Sequence, residues 1–285
     1  MKYNGLVLLD KKEGQSTTRE EVGLKRIFNT KKVGHAGTLD PFATGLIICG
    51  INKGTKLLNE LESADKTYVA KLKFGFKTTS ADITGEVVDK KEVDNHTEDE
   101  IKKILTSFIG ESLQLPPMYS ALKVNGVPLY KLARKDQIVE RKKRKINIKS
   151  IELISYDKDK QELIFIATVS KGTYIRTLGE DIAQKLNELG TLVELRRTRV
   201  GKFNVKQAKK IENITQNDLI DIVEFYADIT HVEIKGENDK RARNGADLKL
   251  DLIDSEVLIV DVNNQAIALY KNIDRGWFKV VKEFV

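Results

Sequence analysis

The apolar and polar positions alternate in distinct ways along the chain. Residues 5–9 (GLVLL) are a short unbroken apolar run and read as a buried strand. Residues 18–28 (TREEVGLKRIF) have helical spacing, with Val22, Ile27 and Phe28 expected inward. The segment 33–45 (VGHAGTLDPFATG) contains three Gly and a Pro and predicts an irregular loop. A Gly-bounded apolar strand follows at 46–51, then a short helix at 55–61. Residues 67–76 alternate as a half-buried strand does. Residues 98–109 open with acids and stop before Gly110, which predicts a helix. A Pro-Pro pair and an Asn-Gly turn make 113–130 a loop running into a hairpin. Strands are expected at 146–156, 162–170 and 192–205. Leu178, Ile182, Leu186 and Leu189 mark a helix ending at Gly190, with Thr177 and Glu180 reading as its capping box. Three β runs at 256–262, 265–272 and 277–285 suggest a separate small β unit. With no regular βαβ beat, the pattern predicts an α+β protein on a mainly antiparallel sheet, divided into 1–229 and 230–285.

Composition narrows the classes. At 285 residues, 40% apolar and 32% charged, the chain is globular rather than disordered. No apolar run approaches the ~18 residues that span a bilayer. The start, with four consecutive apolar residues and then Asp10, is not expected to be a signal peptide. A single Cys excludes a disulfide framework and fits a reducing cytoplasm. Three scattered His and one Cys leave no zinc spacing, so no metal is expected. The net charge of +7 is uneven: 61–100 carries −4, while 101–149 alone carries +9. A basic stripe on a balanced chain suggests a polyanion partner; a solvated lysine-rich face is the alternative.

A few residues stand out as chemistry. Asp40 is the single acid of the loop 33–45, although Asp-Pro is also a common turn opener. Arg176 falls near a helix start, where a cation is electrostatically misplaced unless an anion is close. Tyr68 and Tyr174 lie near Lys66 and Lys171, suited either to packing or to base stacking beside phosphates. The run 141–145 (RKKRK) reads as an RNA backbone contact or as a charged edge strand. Cys49 lies in an apolar run with no His near it and reads as a small core residue. The segment 50–56 has the wrong order for a phosphate-binding loop.

Longer motifs go further. GLVLLDKKEG (5–14), KKVGHAGTLDPFATGLIICG (31–50), KTYVAKLKFGFKTTSADITGEV (66–87), QLPPMYSALKVNGVPLYKLAR (114–134), SKGTYIRTLGEDIA (170–183) and ELRRTRVGKF (194–203) run in order. Together they resemble the bacterial tRNA pseudouridine-55 synthases, the TruB family. There are departures. Lys12 stands where the family usually has Pro, Ser16-Thr17 replaces its usual Thr-Ser, and the tail is short against the family's RNA-binding PUA domain.

The resemblance implies a pseudouridine-synthase-like mixed sheet with flanking helices and a small PUA-like unit. It implies isomerisation of uridine 55 in the tRNA T-loop, without cofactor or metal, by a cytoplasmic monomer that binds T-loop and T-stem. The target base would be flipped out of the folded loop. By the same resemblance, Asp40 matches the catalytic Asp, as nucleophile or base, and Arg176 its ion-pair partner. Tyr68 matches the residue that stacks on the base and handles the proton. His35 matches the residue entering the vacated gap, Tyr174 and Leu195 line the pocket, and Lys11 is a basic residue near it. The competing reading is an RNA-binding or RNA-folding module without isomerase activity.

Overall fold

The computed structural model describes every residue except 1, 2, 125, 136 and 138. The N-terminal apolar run forms strand β1 (Gly5–Lys11), followed by helix α1 (Thr17–Ile27). Ser16 caps α1 by accepting the Arg19 N–H at 3.2 Å. The buried stripe of α1 is Thr17, Glu20 and Leu24, continued by Phe28. Val22 was expected inward but is 42% exposed, because it lies off the i, i+3, i+4 stripe that Leu24 and Phe28 set.

The loop 33–45 begins with a short strand, β2 (Val33–His35), paired to β3 (Thr44–Ile51). The irregular stretch is therefore confined to 36–43. The helix expected at 55–61 is a 3-10 turn, Asn52–Leu57, passing into α2 (Leu58–Ser63). Strand β4 (Lys66–Phe74) follows.

These strands belong to one ten-stranded sheet. Its main path runs Ile220–Asp221, β1, β3, Gly190–Val200, β4, Glu162–Val169, Arg144–Asp157, Gly110–Gln114. Neighbours are antiparallel except β3 with Gly190–Val200, which pair in parallel at Arg196↔Thr44 and Arg197↔Gly45. Period-two alternation sends Ala70, Leu72 and Phe74 of β4 into the main core. There they meet Leu163, Phe165 and Ala167, under Ile101 and Leu105 of α3 (Glu98–Thr106). Beyond a two-residue-stranded hairpin comes α4 (Leu129–Ala133).

Leu178 and Ile182 also face this core, from α5 (Ile175–Lys185). The expected capping box is absent. The helix starts three residues earlier, Tyr174 is its N-cap, and the Thr177 hydroxyl is buried without a hydrogen-bond partner. The helix start is fixed instead from a distant strand, through Gln114.

The three β runs of the tail form strands Glu256–Val260, Ala266–Asp274 and Trp277–Glu283 of a five-stranded sheet. One face of that sheet is not free-standing. Leu258, Val260, Leu269 and Phe284 share a buried cluster with Leu6, Leu8, Leu46 and Ile48. Lys282 and Tyr226 both hydrogen-bond Glu60 at this junction. Among the described residues, no helix is long and apolar enough to cross a membrane.

Candidate active site

The loop 36–43 is short, anchored by buried Ala36, Leu39, Phe42 and Ala43, and held from two sides. On one side stands Arg197, 1% exposed, whose Nε donates to the Leu46 carbonyl at 2.7 Å and Nη2 to the Gly37 carbonyl at 3.0 Å. Gly45 has φ of +106°, and a Cβ there would lie 2.2 Å from the Arg197 carbonyl oxygen, so only glycine fits. On the other side Lys11 is fully buried. Its amine donates to the carbonyls of Lys12 and Gln15 at 2.9 Å and of Pro41 at 3.1 Å. Burial lowers the Lys11 pKa to about 8.

This scaffold presents Asp40 to Arg176 of α5. Arg176 Nε donates to Asp40 Oδ2 at 2.8 Å, and Nη2 to Oδ1 at 3.1 Å. This two-pronged pairing fixes orientation as well as distance. The same guanidinium donates to the carbonyls of Ser80 and Tyr119, each at 2.7 Å. A second carboxylate, Asp82, lies 3.5 Å from Nη1. Asp82 is anchored by the hydroxyl of Ser80 at 2.8 Å and the N–H of Thr84 at 3.0 Å. Ala81, between Ser80 and Asp82, adopts φ of +61°, a strained conformation for a residue with a side chain. The cation at the helix start is thus answered by two anions. Removal from water pushes the Asp40 carboxyl above its usual range; the Arg176 charge opposes this, and the Asp82 charge adds to it.

Asp40 and Arg176 line a cleft of about 930 Å³. Tyr68, Tyr174 and Leu195 line it too, so five of the expected residues converge. Tyr68 comes from β4, and Leu195 from the neighbouring strand, paired to Ala70. Tyr174 is held through its main chain by Gln114. Arg144 and Lys145, the end of the basic run, reach the wall, as does Lys171. Arg141 instead donates to the Pro116 carbonyl at 2.8 Å.

Two expected residues lie outside this lining. Lys11 sits behind the loop, as described. His35 ends β2, with Nδ1 2.5 Å from Glu21 Oε1 and Nε2 3.1 Å from the Thr38 hydroxyl. Cys49 is fully buried in the core, and burial pushes its thiol pKa up. Among the described residues, no three His, Cys, Asp or Glu side chains are grouped to hold a metal ion.

The description "TruB family pseudouridylate synthase (N terminal domain)" matches residues 25–175. The chain belongs to the TruB family.

Relatives within the family match over nearly full length. The tRNA pseudouridine synthase B of Borrelia garinii subsp. bavariensis is 35% identical over 279 residues, covering 98% of each chain. That of Oenococcus oeni is 38% identical over 294 residues, covering 99% of this chain and 98% of the relative. In fold, the chain resembles a solved chain of a Cbf5–Nop10–Gar1 complex, with TM-score 0.72 and 23% identity over 99% of this chain and 85% of that one.

Sequence reasoning passed over three parts of this TruB-family site, Asp82, Gln114 and Arg197, and named Lys66 only as a neighbour of Tyr68 suited to phosphate contacts. A signal existed for Lys66. It shares the inward face of β4 with Tyr68, Ala70 and Leu72 by period two. Nothing local marks Gln114 or Asp82, whose roles come from partners far along the chain.

Proposed function

We propose that this chain isomerises uridine 55 in the T-loop of tRNA to pseudouridine after flipping the base into the cleft beside Asp40. The observation that carries the reading is the forked Asp40–Arg176 pair on the wall that Tyr68 shares. The cleft volume fits the ~300–1,000 Å³ of a small-ligand site, enough for a nucleoside. The uracil leaves C1′ with the bonding pair, turns, and forms a bond from C5 to C1′; C5 then loses its proton and N1, freed from C1′, gains one, so that the product is an isomer of the substrate.

Asp40 acts as an ionised carboxylate, on the sugar, on the base or on a sugar proton, and Arg176 holds it in that form and direction. Tyr68 stacks on the base and places its hydroxyl for the proton at C5. Tyr174 and Leu195 close the walls. His35 fills the gap the base leaves. The carbonyl partners of Lys11 support a loop-holding role for it. Residues 230–285 form the PUA-like unit, and the basic 101–149 meets the phosphates of T-loop and T-stem. The protein acts as a cytoplasmic monomer without cofactor or metal.

The test is an unmodified tRNA transcript under single-turnover conditions, with chromatography of its nuclease digest and primer extension to locate the product. Pseudouridine at position 55 alone is the expected result. Tight binding without product would leave an RNA-binding module, and product at another position would refute the substrate.

A further inference from the structure

Two buried cations in the cleft are held by main-chain carbonyls alone. Lys66 is 6% exposed and Arg197 is 1% exposed, and both line the cleft. The Lys66 amine donates to the carbonyls of Leu61, Glu62 and Ala64 at 3.2, 2.5 and 2.7 Å, at the end of α2. Arg197 donates only to main-chain carbonyls, of Leu46 and Gly37. Among the described residues, neither forms an ion pair with a carboxylate. Arg176 differs, because Asp40 and Asp82 stand against it. The two cations also flank one residue. Lys66 lies two positions before Tyr68 on the same face, and Arg197 is the register partner of Tyr68 on the next strand.

Burying a charge without a directly paired counter-charge is costly, so two at one wall point to an anion that arrives there. The proposed reaction creates one. When the C1′–N1 bond breaks, its electron pair stays on the uracil, which becomes an anion spread over N1 and the ring carbonyls. On the sugar side, either the Asp40 carboxylate bonds C1′ or it takes a sugar proton. The charge disappears once C5 has bonded C1′. We propose that Lys66, seconded by Arg197, supplies the counter-charge that stabilises this detached uracil anion, a role that rests on the synthase reading above. The three N–H bonds of Lys66 are already directed at carbonyls, so it acts through its field rather than by grasping the base. A fixed charge of this kind favours the transition state over bound substrate.

Charge at Lys66 is sensitive to pH. Burial first, then the Arg197 charge, lowers its pKa to about 8; Glu62 and Asp65 oppose this, and Lys171 adds to it. Above that pH the field fades.

The experiment compares the full-length wild type, Lys66→Met and Lys66→Arg, each checked by thermal melting. Single-turnover rates are measured on transcripts carrying uridine or 5-fluorouridine. Fluorine stabilises the departing anion, so that base needs less help. It also blocks proton loss from C5, so the disappearance of N-linked nucleoside is followed. Lys66→Met is expected to slow the uridine reaction roughly tenfold, less than the hundredfold or more lost with a directly bonded donor. Its effect on the fluorinated substrate is expected to be clearly smaller, with tRNA affinity unchanged. Lys66→Arg is expected to restore the rate and to remove the decline of the wild type above about pH 8.

Equal loss on both substrates, a failure of Lys66→Arg to rescue, or a loss of affinity in place of rate would overturn the proposal. If Lys66→Met does not fold, the pH profiles of wild type and Lys66→Arg decide alone. A wild type inactive on both substrates would fail the synthase reading itself.

Discussion

Gln114 grips the main chain of Tyr174 from both sides. Its amide oxygen accepts the Tyr174 N–H at 2.8 Å, and its amide nitrogen donates to the Tyr174 carbonyl at 3.1 Å. Tyr174 immediately precedes α5, and Arg176 lies in the first turn of that helix. An edge strand therefore sets where the Asp40 partner begins. Gln114→Leu is expected to cost about 1–3 kcal/mol, because the part-buried Tyr174 N–H loses its partner, while the Tyr174 carbonyl keeps the Leu178 N–H at 3.0 Å. The rate of isomerisation is expected to fall more than tRNA affinity, since the Arg176 fork is mis-aimed. Urea denaturation and single-turnover kinetics check both parts; an unchanged rate would disprove the positioning role.

Asp40→Asn keeps the shape and removes the charge. Breaking a buried pair typically costs ~3–5 kcal/mol. Here the loss is expected at or below the low end, because the Asp40 side chain keeps 37% exposure and Asp82 still faces Arg176. A folded protein that binds tRNA and forms no detectable pseudouridine is expected. Thermal melting, a binding assay and digestion of the product measure the three properties.

Activity is expected to fall on the acid side at a pH above the ordinary aspartate range. The required form of Asp40 is the ionised one, and the cleft raises its pKa, so protonation removes that form sooner as pH falls. The sign for stability is opposite: a carboxyl with a raised pKa in the fold disfavours folding above that pKa, and this penalty lifts on acidification. Asp82 adds to the rise, so Asp82→Asn is expected to move the acid limb of the rate profile to lower pH. A limb that stays in place or moves up would contradict the electrostatic account.

The tail and the cleft-bearing sheet share one buried cluster, and this bears on truncation. Removing residues from 231 onward would bare Leu6, Leu8, Leu46 and Ile48 where they meet Leu258, Val260, Leu269 and Phe284. Each fully buried side chain of this kind contributes about 1.5–3 kcal/mol. The shortened chain is therefore expected to melt well below the full chain and to expose apolar surface. Calorimetry and dye binding test this; an unchanged melting temperature would mean the cluster adds little.

Much of this architecture was legible because burial in strands and helices leaves a period. The alternation in 67–76 marks β4, and Leu178, Ile182 and Leu186 mark α5. Asp40 and Arg176 could be singled out from local oddity, an acid in a glycine-rich loop and a cation at a helix start. The start of α5 misled because Thr177 and Glu180 have the right spacing, whereas the actual anchor, Gln114, is 60 residues away. Lys66 read only as a phosphate contact, and Arg197 was passed over, because long cations are mostly exposed. Only the packing of strands against the loop shows that they are enclosed.

The cluster joining Leu6 to Phe284 also constrains how the chain acquires its structure. Synthesis runs from the N-terminus, so β1 leaves the ribosome long before the strands that cover its far face. Until residues near 284 have emerged, that face is only partly covered, by residues such as Leu57, Leu61 and Ile222, and its remaining apolar side chains are open to wrong partners. Contacts of such sequence separation slow folding, because a long loop must close before they form. Strands made late are therefore the ones that seal an early one, and nascent chains halted before them are expected to need the protection of a chaperone.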